Sequence, residues 1–123
     1  PGLVAAACRK TLSRERFRGE GEINIVFMDR KAMRKMNKEF LGHDYDTDVI
    51  AFNYDVPEAF GDVYISAYKA REQAKELGHP VLEEVLTLVV HGTLHLLGYD
   101  DDTPSRQARM FRKQDEILAK TLR

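Results

Sequence analysis

The stretch Val81 to Leu97 constrains this chain more than any other. Val85, Leu86, Leu88, Val89, Val90, Leu94, Leu96 and Leu97 cover nearly every side of its second half. A helix that is apolar all round is a buried helix, so the remaining sequence has to enclose it. Pro80 suits the opening of such a helix, because the N–H that proline lacks would be unpaired there anyway. Gly98 suits its end. Into this apolar surface the sequence sets His91 and His95, four residues apart.

That spacing puts both imidazoles on one helical face, about 6 Å apart at the base. Two ring nitrogens can then meet one zinc ion at ~2.0–2.1 Å. Gly98 lets the chain double back after the helix and present Asp101, which completes the pattern His91-x-x-x-His95-x-x-Gly98-x-x-Asp101. Two histidines and one carboxylate leave a fourth position open, the mark of a catalytic rather than a structural zinc. Such an ion brings the pKa of a bound water to ~7 and so supports hydrolysis. Asp100 and Asp102 flank Asp101, so either could take the third place, or serve as partners for the imidazole N–H groups. The competing reading, two core histidines bonded to backbone, leaves two polar rings in an apolar helix at a desolvation cost. Gly92 inside the helix costs ~1 kcal/mol against alanine. Something close by therefore wants the space, a metal site or a packing neighbour equally.

The chain has 123 residues, enough for one domain with a single core. Residues 1–123 are read as that one domain. The coarse pattern alternates helix and strand. It predicts a helix over Leu3 to Phe17, ended by Arg18-Gly19-Glu20-Gly21, and a strand over Glu22 to Met28 with Ile23, Ile25 and Phe27 on one face. Asp29 should cap a helix from Arg30 to Phe40, followed by a polar loop from Leu41 to Asp46. Strands follow at Val49 to Tyr54 and Gly61 to Ser66, joined by a turn at Val56-Pro57-Glu58. A helix runs from Ala67 to Leu77, and a last one from Thr103-Pro104 carries Met110, Phe111, Ile117 and Leu118 inward.

One cysteine, Cys8, rules out a disulfide framework and a cysteine-based zinc site, and fits a reducing, cytoplasmic setting. No apolar run approaches the ~20 residues of a membrane helix, and no signal peptide is visible. The chain opens on Pro1 rather than methionine, which leaves room for native sequence upstream. A net charge of −1 gives no global basic footprint for nucleic acid, so any RNA site must be local. His43 and His79 lie in polar turns and read as solvated, and Cys8 reads as a small core residue. The clusters Arg106, Arg109, Arg112, Lys113 and Lys31, Arg34, Lys35, Lys38 read as solvated faces unless they share a side with the zinc. Asp44 and Asp48 precede a strand and are candidate general bases, though each would serve equally as a turn residue or cap.

The string from His91 to Asp100, His-Gly-Thr-Leu-His-Leu-Leu-Gly-Tyr-Asp, resembles the signature of the YbeY family of bacterial endoribonucleases. Asn37-x-x-Phe40-x-x-x-Asp44-x-x-Thr47-Asp48-Val49-Ile50-Ala51-Phe52 and Gly61-Asp62-Val63-Tyr64-Ile65-Ser66 resemble its second and third motifs. The likeness runs from about Ile23 to the end, in the family's order. It implies an α+β fold with a small mixed sheet flanked by helices, related to zinc metalloproteases. It also implies metal-dependent cleavage of single-stranded RNA, serving small-subunit ribosomal RNA maturation, late ribosome assembly and quality control. The partners implied are ribosomal RNA, a small-subunit ribosomal protein and an assembly GTPase.

Three positions depart from the family pattern. Asp101 stands where the family has a histidine ligand, and carboxylate remains an acceptable zinc donor. Leu41 stands where an arginine is usual, and an aliphatic chain cannot hold a phosphate. Arg34 or Lys38 are candidates to replace that charge in binding substrate. Ala51 replaces a common serine. Two further readings stand beside the nuclease. One is a ribosome-assembly binding factor with a mainly structural zinc, which Leu41 favours. The other is a zinc peptidase, which lacks its base because Gly92 occupies the position of the usual glutamate.

Overall fold

Local side-chain chemistry sets where the helices start. In the computed structural model, which describes residues 2–17, 22–56 and 59–121, the element order is α1 (Gly2–Arg14), β1 (Glu22–Met28), α2 (Arg30–Leu41), β2 (Val49–Val56), β3 (Ala59–Ser66), α3 (Ala67–Leu77), α4 (Val81–Leu96) and α5 (Pro104–Thr121). Asp29 caps α2 as expected, its Oδ1 accepting from Ala32 N at 2.8 Å. Ser66 caps α3 in the same way, accepting from Lys69 N at 3.0 Å. Pro80 sits at the cap position of α4 rather than inside its first turn, in extended backbone. Helix α1 stops three residues short of Phe17, and β2 and β3 each run two residues further toward their connection than the alternation indicated. The breaker run 18–21 and residues 57–58 of the turn lie outside the described residues.

The sheet is mixed, as expected, with order β1-β3-β2. Strand β3 is central, parallel to β1 and antiparallel to β2. Its Val63 and Ile65 are fully buried, and Ile23, Ile25, Val49 and Ala51 of the flanking strands pack onto the same core. Phe27 departs from the expected face and is 47% exposed. Near the end of β1, an edge strand, the ring walls a cleft with Tyr68 and Arg71.

Helix α4 is the element against which the others assemble. It contacts α1, α3, α5, β2 and β3, which is how its apolar surface is enclosed. Leu86, Val89, Val90 and Leu94 have no exposed surface. Gly92 explains how closely it meets the sheet: a β-carbon there would overlap Val63 Cγ1 and lie 3.1 Å from Val49 Cγ2. The helix-interior glycine is therefore a packing requirement. Cys8 is buried against the same helix, within 3.7 Å of the Thr93 hydroxyl.

Helix α5 buries Met110, Gln114 and Ile117, a stripe at helical spacing. Phe111, expected inward, lies off that stripe and is 42% exposed. Among the described residues, no helix is long and apolar enough to cross a membrane.

Gly92→Ala tests the helix–sheet contact. Val63 is fully buried and branched at Cβ, so it has little room to yield. The overlap should outweigh the propensity gain and lower unfolding free energy by about 1–3 kcal/mol in urea titration. Unchanged stability would mean the sheet shifts freely.

Candidate metal centre

The last two turns of α4 carry His91 and His95 on one face, their ring centroids 4.7 Å apart. Helix α4 ends after Leu96, and the chain reverses at Gly98, whose φ of 99° is disfavoured for residues with a side chain. The reversal is pinned by Tyr99 N donating to Leu94 O at 3.1 Å. It returns Asp101 to the histidines, with Asp101 Oδ2 3.6 Å from His91 Nε2 and 3.7 Å from His95 Nε2. The two Nε2 atoms are 3.1 Å apart.

These atoms form the one group among the described residues whose His, Cys, Asp or Glu donors could hold a metal ion. The separations suit a tetrahedral ion, since ligands at ~2.0–2.1 Å around one centre stand about 3.4 Å from each other. The hydrogen bonds give a second reason. His95 Nδ1 donates to the Tyr99 carbonyl at 2.9 Å, and His91 Nδ1 donates to Gln114 Oε1 at 2.8 Å. With Nδ1 as the donor, a ring in the neutral form presents a bare Nε2 lone pair toward the other ring and toward a carboxylate. A cation between them resolves the repulsion. Burial also pushes the His91 pKa below its ordinary value, against the opposing pull of Gln114. The ring is thus held in the neutral form a metal requires.

Asp101 is therefore the carboxylate of the three that reaches the histidines. Asp102 is held by Arg106, whose Nη1 donates to both its oxygens at 3.1 Å. Asp100 lines a separate cleft with Glu15, Arg106 and Arg109. The partners of the imidazole N–H groups are Gln114 and the Tyr99 carbonyl, not the neighbouring aspartates. Gln114 had one available signal, a polar residue four positions from Met110 and three from Ile117 in an apolar stripe. Phe111, one turn earlier, places its ring centroid 6.3 Å from that of His91.

The other candidates divide between two places. Asp48 is half-buried, and Gln73 Nε2 donates to its Oδ2 at 3.2 Å. Its charge is felt by His91 and by Glu84. Asp44 is turned to α2, 3.1 Å from Arg34 Nε and 3.9 Å from Lys38 Nζ. His43 is exposed as expected and stacks on Tyr45. His79 is not solvated: it is half-buried, with Nε2 3.6 Å from Glu84 Oε2. Glu84 is 3% exposed, and neither of those two atoms has a hydrogen-bond partner among the described residues.

Two outcomes follow from these contacts. Gln114→Leu removes the acceptor that orients His91, and zinc affinity measured by calorimetry should fall 10–100-fold with the fold intact. An unchanged affinity would make Gln114 a packing residue only. For Glu84, burial raises the pKa above the ordinary 4.5, with Asp48 and Glu83 adding and His79 opposing. The folded chain then holds this proton to higher pH than the unfolded chain. The group's stabilising contribution is present below 4.5 and lost as pH rises through its raised folded value. Glu84→Gln should flatten that loss and unfold at higher temperature at pH 7. A variant less stable there would show that the His79 pairing dominates.

The comparisons identify the family. A family model described as Endoribonuclease YbeY matches residues 2–122. The Endoribonuclease YbeY of Elusimicrobium minutum is 44% identical over 123 residues, covering 95% of this chain and 82% of that protein. That of Bacillus licheniformis is 44% identical over 110 residues, covering 79% and 70%. The solution structure of TM1509 from Thermotoga maritima shares the fold, with a TM-score of 0.67 at 27% identity over 98% of this chain and 81% of that one. With the family model spanning nearly every residue, and the motif histidines and their carboxylate gathered at one point, this chain belongs to the YbeY family.

Proposed function

We propose that the protein is a zinc-dependent endoribonuclease specific for single-stranded RNA, acting in the cytoplasm in maturation of small-subunit ribosomal RNA and in ribosome quality control. The observation that carries the metal dependence is the triangle of His91 Nε2, His95 Nε2 and Asp101 Oδ2 with both imidazole lone pairs turned inward. The endoribonuclease activity rests on the named relatives. One zinc ion per chain, held by these three residues, would supply a Lewis acid for a phosphoryl oxygen and an acidified water.

The chain's own residues have distinct parts. Gln114 and the Tyr99 carbonyl fix the ring orientations. Phe111 offers an exposed apolar ring beside His91 on which a base can stack. Asp48, half-buried and within electrostatic reach of His91, is the candidate proton acceptor. Asp44 is the weaker candidate, since Arg34 and Lys38 already hold it. Those two cations are proposed to contact substrate phosphate, because Leu41 cannot. Ribosomal RNA, the small subunit and its assembly factors are the proposed partners.

Leu41, 46% exposed and uncharged, favours a second reading as an assembly factor that binds metal without turnover. The peptidase reading has no such support: Gly92 lies against Val63, with no room there for a glutamate side chain.

Purified protein and His95→Ala are incubated with a labelled single-stranded fragment from the 3′ end of small-subunit ribosomal RNA, with and without chelator. Cleavage is expected from the wild type alone and should disappear with chelator. A zinc-loaded wild type that leaves the RNA whole would shift the function to the assembly factor.

A further inference from the structure

Five cations, Arg30, Lys31, Arg34, Lys35 and Lys38, line one groove on α2. Two carboxylates from the following loop, Asp44 and Asp46, complete it, so three positive charges remain there in a chain whose net charge is −1. Residues 31, 34, 35 and 38 recur at helical spacing, a stripe about 10 Å long. Met33 and Asn37 are buried on the opposite face, so the stripe points outward. Arg30 pairs with Asp46 at 2.6 Å and Arg34 with Asp44 at 3.1 Å. Lys31 and Lys35 are exposed, and Glu39 lies 4.0 Å from Lys35. The exposed Arg34–Asp44 pair is weak enough for an arriving phosphate to displace.

The second feature is apolar. At the C-terminal end of the stripe, Phe40 is 66% exposed and Tyr45 is 55% exposed. The loop carrying Tyr45 then leads through Asp48 to Val49, which packs on α4 at Gly92, next to His91. Cations and exposed aromatic rings thus follow one another along α2 and its loop, and the chain leads on from there to the strand that packs on α4. Cations that take phosphates, together with rings that take bases, are what single-stranded nucleic acid requires.

We propose that the α2 groove is a docking track for single-stranded RNA. Its phosphodiester backbone lies on Lys31, Arg34, Lys35 and Lys38, and its bases lie on Phe40 and Tyr45. The choice of RNA rests on the endoribonuclease reading of the metal centre. The track adds a binding surface on α2 that loads the strand before it reaches His91 and His95.

The test is fluorescence anisotropy with a labelled 20-nucleotide oligouridylate on the zinc-loaded wild type and on Lys31→Glu/Lys35→Glu, over a range of salt. Cleavage is followed separately on gels. In the variant, affinity should fall roughly tenfold at moderate salt. The log–log salt slope should flatten by about 1.4, two contacts at ~0.7 each. Unfolding temperature and zinc stoichiometry should not change. Phe40→Ala should weaken binding without changing the slope. If charge reversal unfolds the chain, Lys31→Gln/Lys35→Gln is read by the same criteria. Equal RNA affinity in wild type and variant overturns the track, as does a wild type that binds no RNA. Loss of binding to an oligoglutamate with RNA binding intact also overturns it, and makes this face a protein-docking surface. Binding through α2 without cleavage keeps the track and removes the endoribonuclease reading. Cleavage with affinity indifferent to α2 does the reverse.

Discussion

Helix α4 can lie against the sheet only because residue 92 has no side chain. Val63 of the central strand and Val49 of β2 fill the place where a β-carbon would stand. A matching gap lies on the strand side, where a β-carbon on Gly61 would come within 2.7 Å of Leu96 Cδ2. Asn53 Nδ2 adds a hydrogen bond to the Leu96 carbonyl at 2.8 Å, fixing the end of the helix on β2. A helix so closely held carries its histidines at a fixed depth, one ring immediately before the glycine and the other three residues beyond it. Rigid support of this kind is what a metal site needs to hold its ligands at bonding geometry.

The loop after α4 depends on Tyr99 as α4 depends on Gly92. The backbone N–H of Tyr99 closes the helix on Leu94, and its carbonyl orients His95. Its hydroxyl donates to Glu15 Oε1 at 2.5 Å, and the Arg109 guanidinium lies 5.3 Å above its ring. One residue therefore ties α1 and α5 to the turn that delivers Asp101. Asp101 sits on a loop, yet its position is set from α4, from α5 and from Glu15 at the end of α1.

Charge is segregated in a way that net charge conceals. The cations of α2 gather on one groove, while Glu84 lies on α4 with the Asp48 charge within reach of it. Burial raises the pKa of Glu84 and lowers that of His91, in each case because desolvation penalises the charged form.

The order of elements, the burial of α4 and the meeting of His91, His95 and Asp101 at one point were legible in the sequence. Each depends on periodicity, on a glycine stop or on residues close in the chain. Other features depended on where distant elements cross. Gln114 reaches His91 across 23 positions because α5 packs on α4, and its place in an apolar stripe was only a hint. Phe111 turned outward because the stripe through Met110, Gln114 and Ile117 took the buried face. Phe27 remained exposed where the end of β1 opens on a cleft beside Tyr68 and Arg71 of α3. His79 is the local exception, half-buried beside Glu84 only five residues on. Spacing along one helix specifies which side chains share a face. Which groups from other elements meet that face is decided by packing angles and strand order, and those exist only once the chain has folded.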